Sequence, residues 1–331
     1  MGIPLVLIST QFGGNAMAKG CIGVAISGRD ATNVVELIQH AEDLKIPAAW
    51  LTSGGAGMDS LTLFAAAAVR TNSILLGTSI VPTWPRHPLV VVQQAQVLAH
   101  LAPERFRLGI GPSHKPSTER TYGFEFVAPL QHLREYLQIV KQLLNQGEVD
   151  FDGEYYHAHA RVATPTPLPV MASALRATSF MVCGEEADGA ISWVCPGTYL
   201  KDVALPAMKK GAETHSRPVP PLIAHAPVCV HDNPEEIMAA AREQIANYPR
   251  LPFYAQMLED AGFPEAKQGE WSEPMLDAVV LSGDENRVAS RLQEMLDWGA
   301  EEIIVSPIGA GNNPAESKER TLRLLGDLSG K

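Results

Sequence analysis

The sequence predicts an α/β protein that folds as a closed (β/α)8 TIM barrel with insertions. Strand-like and helix-like segments alternate from Cys21 onward, which is the pattern of a parallel α/β fold. Several of the strand-like segments are continuously apolar, as expected of strands covered on both faces. The length of 331 residues fits such a barrel once insertions are allowed. An open doubly wound sheet is the alternative arrangement of the same elements.

The predicted barrel strands are short runs rich in Val, Ile, Leu and Ala. They cover residues 21–27, 48–52, 74–81, 105–111, 169–173, 189–194, 222–230 and 302–307. The segments between them carry apolar residues at helical spacing; the first places Val34, Ile38 and Ala41 on one face. Helix starts are marked by Asn233-Pro234 and Asn313-Pro314, because Asn caps a helix and Pro suits its first turn.

Two segments do not belong to a minimal barrel. Residues 149–162 predict a β-hairpin that turns at Asp152-Gly153, before the fifth strand. Residues 246–276 predict a long helical insertion after the seventh strand, suited to covering a site or carrying a subunit contact. We expect one barrel domain over residues 21–331, preceded by an N-terminal extension, residues 1–20. That extension lacks the basic start of a signal peptide and is too short to cross a membrane.

Composition narrows the class of partner. The formal net charge is −11 and there is no basic run, which argues against nucleic-acid backbones and anionic membranes. A small-molecule substrate is the expected partner. The four cysteines lie far apart without a CxxC pair, so neither a zinc site nor a disulfide framework is indicated, and we expect no metal. The cytoplasm is the expected location.

Motifs of the common enzyme classes are missing from the sequence. Gly109-Ile110-Gly111 starts a GxGxxG, but His114 occupies the place of the third glycine, so the dinucleotide fingerprint fails. There is also no GxxxxGK[ST], HExxH or GxSxG. What remains is a set of small or hydroxyl residues at strand ends, which lets a large planar or phosphorylated ligand approach the backbone. These residues are Ser79, Ser113, Ser173, Ala174, Ser192 and Ser306.

Several blocks resemble the luciferase-like monooxygenase superfamily, and within it the oxidoreductases that use the deazaflavin coenzyme F420. The blocks are GTSIVPTWPRHP, ERFRLGIGPSHK, HLREYL, VDFDGEYYHAH and EEADGAISW. The resemblance spans residues 21 to 309 and implies a (β/α)8 barrel, which agrees with the count of segments. It implies an F420-dependent oxidoreductase that moves a hydride between the deazaflavin and a small organic substrate.

The resemblance also implies roles for individual residues. Ser79-Ile80 matches the place where such barrels hold a non-prolyl cis peptide against the back of the ring. His114 matches the position of the catalytic acid, and an imidazole suits proton transfer near neutral pH. The loop after the fifth strand matches the loop that grips the cofactor phosphate, although Arg176 stands there where relatives have glycine. The implied cofactor contacts are Ser79, Ile80, Gly111, Pro112, Ser113, Ala172, Ser173, Ala174, Leu175 and Arg176.

Two sequence differences from relatives narrow the range of reactions that we expect. Thr52-Ser53 replaces an Asp-His pair after the second strand, and Pro196 stands where a phosphate-binding lysine follows the sixth strand. Both changes argue against sugar-phosphate oxidation and favour reduction of a C=C bond, imine or carbonyl. The expected walls of the substrate pocket are aromatic: Trp84, Tyr122 and Trp193.

Several further hypotheses remain open at this point. Arg86 could meet an anionic cofactor tail, and His157 and His159 share one face of the hairpin without a third metal ligand. The chain could instead be an FMN-dependent monooxygenase, or a barrel without cofactor that acts as a binding or accessory protein. Relatives are often dimers, and the apolar helices over residues 89–101 and 130–144 could form the interface of a homodimer.

Overall fold

A closed ring of eight parallel strands forms the centre of the molecule in the computed structural model, which describes residues 20–329. The first and last strands pair in parallel, with Cys21 opposite Glu302, and this pairing closes the ring. The predicted (β/α)8 barrel is thus confirmed, and the open sheet is excluded. The ring strands are β1 (Cys21–Ala25), β2 (Ala48–Leu51), β3 (Leu75–Thr78), β4 (Phe106–Gly111), β5 (Val170–Ser173), β6 (Ala190–Trp193), β7 (Leu222–Val230) and β8 (Glu302–Pro307).

The strands bury both faces, and alternate side chains point to two different cores. Ala48 and Trp50 of β2 belong to a small cluster inside the ring, whereas Ala49 and Leu51 belong to the larger core between strands and helices. Inside the ring, Arg107 and Glu302 form a buried ion pair, with the Arg107 guanidinium 4.4 Å from the centre of the Trp50 ring. The interior of the ring is therefore a packed core and not a pore.

Helices surround the ring and return the chain from one strand to the next. Each buries its apolar stripe against the strands. Several begin with a side-chain cap, and the predicted start at Asn233 is one of them, because the Asn233 side chain accepts a hydrogen bond from Glu235 N. The α-helices of eight or more residues are Ala31–Asp43, Ser60–Ala68, Pro88–Leu101, Lys115–Tyr122, Pro129–Gln146, Ala177–Glu186, Leu205–Thr214, Pro234–Gln244, Pro252–Asp260, Glu285–Asp297 and Pro314–Ser329.

Strand three differs from its prediction. Residues 74–81 predict one long strand, but β3 ends at Thr78, and the chain resumes pairing only at the two-residue strand Val81–Pro82. The Ser79–Ile80 peptide bond between them is cis, as the family resemblance implies. Hydropathy does not reveal this break, because the residues on both sides of it are apolar and buried.

Both predicted insertions are present. The hairpin pairs Glu148–Asp152 with His157–Arg161 in antiparallel register. The second insertion follows helix Pro234–Gln244 and contains Tyr248–Arg250, Pro252–Asp260, Pro264–Gln268 and Glu273–Val279, all helical. Its two ends are held together by Trp271, whose Nε1 donates to Ile245 O at 2.7 Å.

The predicted extension, residues 1–20, lies outside the described residues except for Gly20, whose N–H donates to Glu301 O. Across residues 20–329, none of the helices is both long and apolar enough to span a membrane.

Candidate active site

A cavity of about 710 Å³ opens at the carboxyl ends of the ring strands. This volume lies within the range of small-molecule sites, and ligands of parallel α/β barrels bind at this end. Strand ends and loops from around the ring line the cavity, together with the helical insertion. The residues that the strands and the positions directly after them contribute include Ala25, Thr52, Ser79, Pro112, Ser173, Trp193, His225 and Ser306.

The Ser79–Ile80 segment lies against the cavity and is fixed by its neighbours. Ser53 N donates to Ile80 O at 3.0 Å, and Thr52 Oγ1 donates to Ser79 O at 2.7 Å. A Cβ at Gly111 would lie only 3.2 Å from Ile80 Cγ1 and 2.1 Å from Ser173 Oγ. Gly111 is thus required for this close approach, although it does not itself line the cavity. In the sequence, Thr52-Ser53 is notable only because it replaces the Asp-His pair of relatives. In the structure, these two residues hold the backbone of Ser79–Ile80.

Two serines of the cavity lining, Ser79 and Ser192, have hydroxyls without a hydrogen-bond partner among the described residues. Ser79 Oγ and Ser192 Oγ are buried, and neither forms a hydrogen bond within residues 20–329. Buried polar atoms are normally paired, so such orphans at a cavity wall indicate places where a ligand completes the bonding. Both serines belong to the set of small or hydroxyl residues that the sequence analysis predicts at the strand ends.

The loop after β5 leads into helix Ala177–Glu186 at the edge of the cavity. Ser179 Oγ accepts hydrogen bonds from Leu175 N and Arg176 N, both at 3.0 Å, and this fixes the loop on the helix N-terminus. Arg176 lines the cavity, and its Nη2 lies 3.7 Å from Asp260 Oδ2 of the helical insertion. Ala172 is fully buried behind the lining. The helix N-terminus and the guanidinium together favour an anionic group here.

His114 lies in the cavity lining directly before helix Lys115–Tyr122. Its imidazole does not cap that helix, which leaves it free for a ligand. Burial lowers the pKa of His114 below 6.5, so the ring is neutral at pH 7. Ser113 precedes it with φ +59°, a left-handed backbone that non-glycine residues adopt mainly where surrounding structure demands it.

Four aromatic rings join His114 to form one continuous wall. Trp193 of β6 is flanked by His225 of β7 at 4.3 Å between ring centroids and by Tyr248 of the insertion at 5.8 Å. Tyr248 packs on Tyr254 at 4.8 Å, and Tyr254 packs on His114 at 5.6 Å. We call these five residues the aromatic wall. Trp193 is thereby placed where the sequence predicts a pocket wall.

His225 is a site residue that the sequence analysis missed. It lies within the run LIAHAPVCV, whose apolar neighbours indicate only a buried strand. Burial lowers the pKa of His225 to about 3, and its Nε2 lies 2.8 Å from Ser306 Oγ. The side chain is therefore neutral at any physiological pH and available for hydrogen bonding in the cavity.

Other predicted candidates lie elsewhere. Trp84 and Tyr122 are absent from the cavity lining. Trp84 stacks on His132 at 3.8 Å between centroids, and Tyr122 donates to Gly55 O. Arg86 is paired with Asp59 at 2.6 Å, outside the cavity lining.

The hairpin histidines lie on an exposed face. His157 Nδ1 is 2.8 Å from Asp152 Oδ1, and His159 Nδ1 is 2.5 Å from Asp150 Oδ1. In the part of the chain that the structure describes, no group of three or more His, Cys, Asp or Glu is arranged to hold a metal ion.

The sequence matches the family model for luciferase-like monooxygenases over residues 5–302. The chain belongs to this family. It is 25% identical to 5,10-methylenetetrahydromethanopterin reductase of Methanopyrus kandleri, covering 94% of this chain and 97% of that protein. It is also 25% identical to F420-dependent glucose-6-phosphate dehydrogenase of Mycobacterium avium, covering 95% and 93%.

Solved structures of luciferase-like proteins share the fold. The coenzyme F420 dependent tetrahydromethanopterin reductase from M. kandleri superposes with a TM-score of 0.73 at 21% identity, covering 94% of this chain and 97% of that one. The oxygenating constituent of 3,6-diketocamphane monooxygenase from Pseudomonas putida, in complex with FMN, gives a TM-score of 0.70 at 17% identity, covering 94% and 96%. The architecture of this luciferase-like chain is thus shared by proteins of both cofactor types.

Proposed function

We propose that this protein is an oxidoreductase that transfers a hydride between coenzyme F420 and a small organic substrate, reducing a C=C bond, imine or carbonyl. One observation carries the proposal. A single cavity brings together the Ser79–Ile80 segment, two unpartnered hydroxyls and the neutral imidazole of His114. The name of the glucose-6-phosphate dehydrogenase relative and the description of the M. kandleri reductase structure both state dependence on F420, which supports the choice of this cofactor.

The residues present fit a deazaflavin. Its ring carbonyl and N–H groups require hydrogen-bond partners, which Ser79 Oγ and Ser192 Oγ can supply. Ile80 offers an apolar surface to a ring, and Gly111 allows the approach of Ser173 behind it. Arg176 and the N-terminus of helix Ala177–Glu186 offer a positive site for the cofactor phosphate.

Each part of the chain has a defined task in the reaction. The deazaflavin, when bound, supplies or accepts the hydride. A substrate that gains a hydride must also gain a proton, and His114 lies in the cavity to give it. Burial disfavours the protonated form of His114 and lowers its pKa. Protonated His114 is therefore a stronger acid than the protonated form of an exposed histidine. Trp193, Tyr248 and Tyr254 exclude water from the same space.

Titration of the purified protein with F420 and with FMN tests the proposal. We expect saturable fluorescence quenching by F420 at concentrations at least tenfold below those needed for FMN. Ser192→Ala should weaken F420 binding about two- to tenfold, the effect of one lost hydrogen bond. Ser290→Ala, on the exposed face of helix Glu285–Asp297, is the matched control and should bind like the wild type.

The same titration tests the two alternatives. Saturable binding of FMN without binding of F420 would favour the flavin monooxygenase, a reading supported by the FMN complex among the structural neighbours. Absence of binding for both would favour the accessory protein. The cavity argues against that last reading, since Arg176 extends to Asp260 of the insertion and does not fill the space.

We further propose that residues 21–331 act as one domain, as a homodimer in the cytoplasm. The location is supported by the four cysteines, all buried and free, as is usual in a reducing compartment. The dimer is supported by apolar side chains left exposed on helix Pro88–Leu101.

A further inference from the structure

The described lining of the cavity carries almost no charge. Of the side chains within residues 20–329 that line it, only Arg176 is formally charged, and none is Asp, Glu or Lys. The other polar side chains of this lining are Ser, Thr, Gln, Tyr and Trp residues and the two imidazoles. A carboxylate or phosphate on a substrate would therefore have one cation to pair with, and the proposed cofactor phosphate already requires it.

The two histidines of the aromatic wall do not supply the missing charge. Burial lowers the pKa of both His114 and His225, so both are neutral at pH 7. A neutral imidazole recognises an uncharged donor or acceptor well, and it gives no charge attraction to an anion.

Arg176 is held on the side of the cavity where helix Pro252–Asp260 ends. Its guanidinium contacts Asp260, which lies six residues after Tyr254 on that helix. At 1.5 Å per residue, Asp260 and Tyr254 are about 9 Å apart along the helix axis. The ion pair with Asp260 therefore lies at a different level of the helix from the ring of Tyr254.

The aromatic wall itself indicates the shape of the substrate. Trp193, Tyr248, Tyr254 and His114 offer rings in edge and tilted arrangements, which bind a flat ring by offset or edge-to-face contacts. Phe253 extends the apolar lining to the cavity mouth, where it stays 49% exposed. An exposed phenylalanine beside a cavity mouth favours entry of an apolar molecule.

We propose that the substrate is an uncharged, planar, unsaturated ring compound that packs on the aromatic wall, with Tyr248 and Tyr254 of the insertion setting specificity. This inference rests on the proposed function and adds the class of substrate. It excludes sugar phosphates and carboxylic acids, whose charge the wall cannot balance.

A matched pair of probes tests the inference by binding alone. The neutral 2-naphthol and the anionic naphthalene-2-sulfonate share one ring system and do not react with the cofactor. Calorimetric titration of the F420-loaded protein should give a Kd for 2-naphthol at least tenfold lower than for the sulfonate. Arg176→Gln should preserve or increase this preference, because it removes the one cation that could attract the sulfonate.

Variants of the wall locate the binding. Tyr248→Ala should raise the Kd of 2-naphthol at least fivefold, whereas Tyr248→Phe, which keeps the ring, should stay within about twofold. Phe124→Ala removes an exposed ring that does not line the cavity and should have no effect.

Three results would overturn the inference: equal or tighter binding of the sulfonate, absence of binding for both probes, or wild-type affinity in Tyr248→Ala. If any of these three results is obtained and F420 still binds, the proposed function stands and only the substrate class is wrong. If F420 does not bind and the unloaded protein still prefers 2-naphthol, the function is wrong and the neutral character of the wall is supported.

Discussion

At the scale of single residues, burial sets the behaviour of the two cavity imidazoles. Within residues 20–329, neither His114 nor His225 has a carboxylate partner that would raise its pKa, and loss of hydration disfavours the charged form of both. Their consequences differ, because His114 acts in the proposed reaction and His225 packs between Trp193 and Ser306. The role of His114 is therefore tested by enzyme kinetics, and the role of His225 by measurements of protein stability.

Substrate reduction by F420 should follow the protonation of His114. The protonated imidazole is the donor and its pKa lies below 6.5, so kcat should rise as pH falls through that lowered pKa. His114→Ala should lower kcat by about 10² to 10⁴ and flatten this limb of the profile. The measurement is kcat from pH 5 to 8 for both proteins. An unchanged limb in His114→Ala would show that another group gives the proton.

His225 should make the protein less stable in acid. Burial depresses its folded-state pKa to about 3, against 6.5 in an unfolded chain, so between these values only the unfolded chain binds the proton. The unfolding free energy should fall with decreasing pH by up to about 1.4 kcal/mol per unit from this residue. Urea unfolding of His225→Gln at pH 4.5, 5.5 and 6.5 should show a slope reduced by that amount.

The control for this slope is His100→Gln, at an exposed position of helix Pro88–Leu101. It should keep the wild-type dependence on pH. Equal slopes for wild type and His225→Gln would contradict the proposed origin of the acid sensitivity.

The sequence predicts site residues where a strand end and a polar side chain coincide. Ser79, Ser192 and His114 satisfy this condition, and all three line the cavity. His225 fails it, because a single polar residue inside an apolar strand is more often a satisfied core residue. Trp84 and Tyr122 show the opposite error, because the sequence predicts that they line the cavity and they do not. An aromatic residue in a loop near a strand end can pack against other parts of the protein and stay out of the cavity.

At the scale of elements, local sequence pattern predicts the buried strands, the helices and the presence of both insertions, but not the path that the helical insertion takes. All eight ring strands lie within the predicted segments, because continuous apolar runs occur wherever both faces of a strand are covered. The path of the helical insertion depends on long-range contacts, such as the bond from Trp271 Nε1 to Ile245 O. For that reason Tyr248 and Tyr254 could not be assigned to the site from the sequence.

The hairpin depends on one carboxylate. Glu135 of helix Pro129–Gln146 accepts hydrogen bonds from the backbone N–H groups of Glu154, Tyr155 and Tyr156, at 2.8 to 3.1 Å. Burial raises the pKa of Glu135, but these N–H donors outweigh it and hold the pKa below its usual range. The carboxylate therefore fastens the turn of the hairpin onto the helix in its ionised form.

Glu135→Ala should release the hairpin from the helix. Three backbone N–H groups lose their acceptor, so the unfolding free energy should fall by about 2 kcal/mol. Hydrogen exchange should show faster exchange of amides in residues 148–161, with the ring strands unchanged. Glu154→Gln, an exposed residue in the same turn, is the control and should exchange like the wild type. Wild-type protection of the hairpin in Glu135→Ala would show that strand pairing alone holds it.

At the scale of the whole molecule, the barrel has a packed interior and an open carboxyl end. The interior is filled by Trp50 and the Arg107–Glu302 pair, whereas the carboxyl end carries the cavity. The helical insertion supplies Tyr248, Phe253 and Tyr254 to that cavity. Under the proposed function, substrate choice can therefore change with the insertion while the ring strands and the serines of the cavity lining stay the same.

Helix Pro88–Leu101 is the better of the two helices predicted for a dimer interface. Helix Pro129–Gln146 buries most of its apolar residues within the molecule. By contrast, Val90, Val97 and Leu101 remain 42%, 52% and 38% exposed, and their spacing of seven and four residues places them on one face. An isologous contact would pair this stripe with its copy.

Val97→Lys should therefore convert the dimer to a monomer. A lysine at the centre of the stripe would be buried against a second copy of itself, which like charge and lost hydration both oppose. Sedimentation equilibrium of the wild type should give a mass near 71 kDa, about twice the 35.7 kDa of one chain, and the variant should give the mass of one chain. Val69→Lys, at an exposed valine beyond the end of helix Ser60–Ala68, is the matched control and should remain dimeric. A wild-type monomer would contradict the proposed homodimer, whereas a dimeric Val97→Lys would place the interface on another face of the barrel.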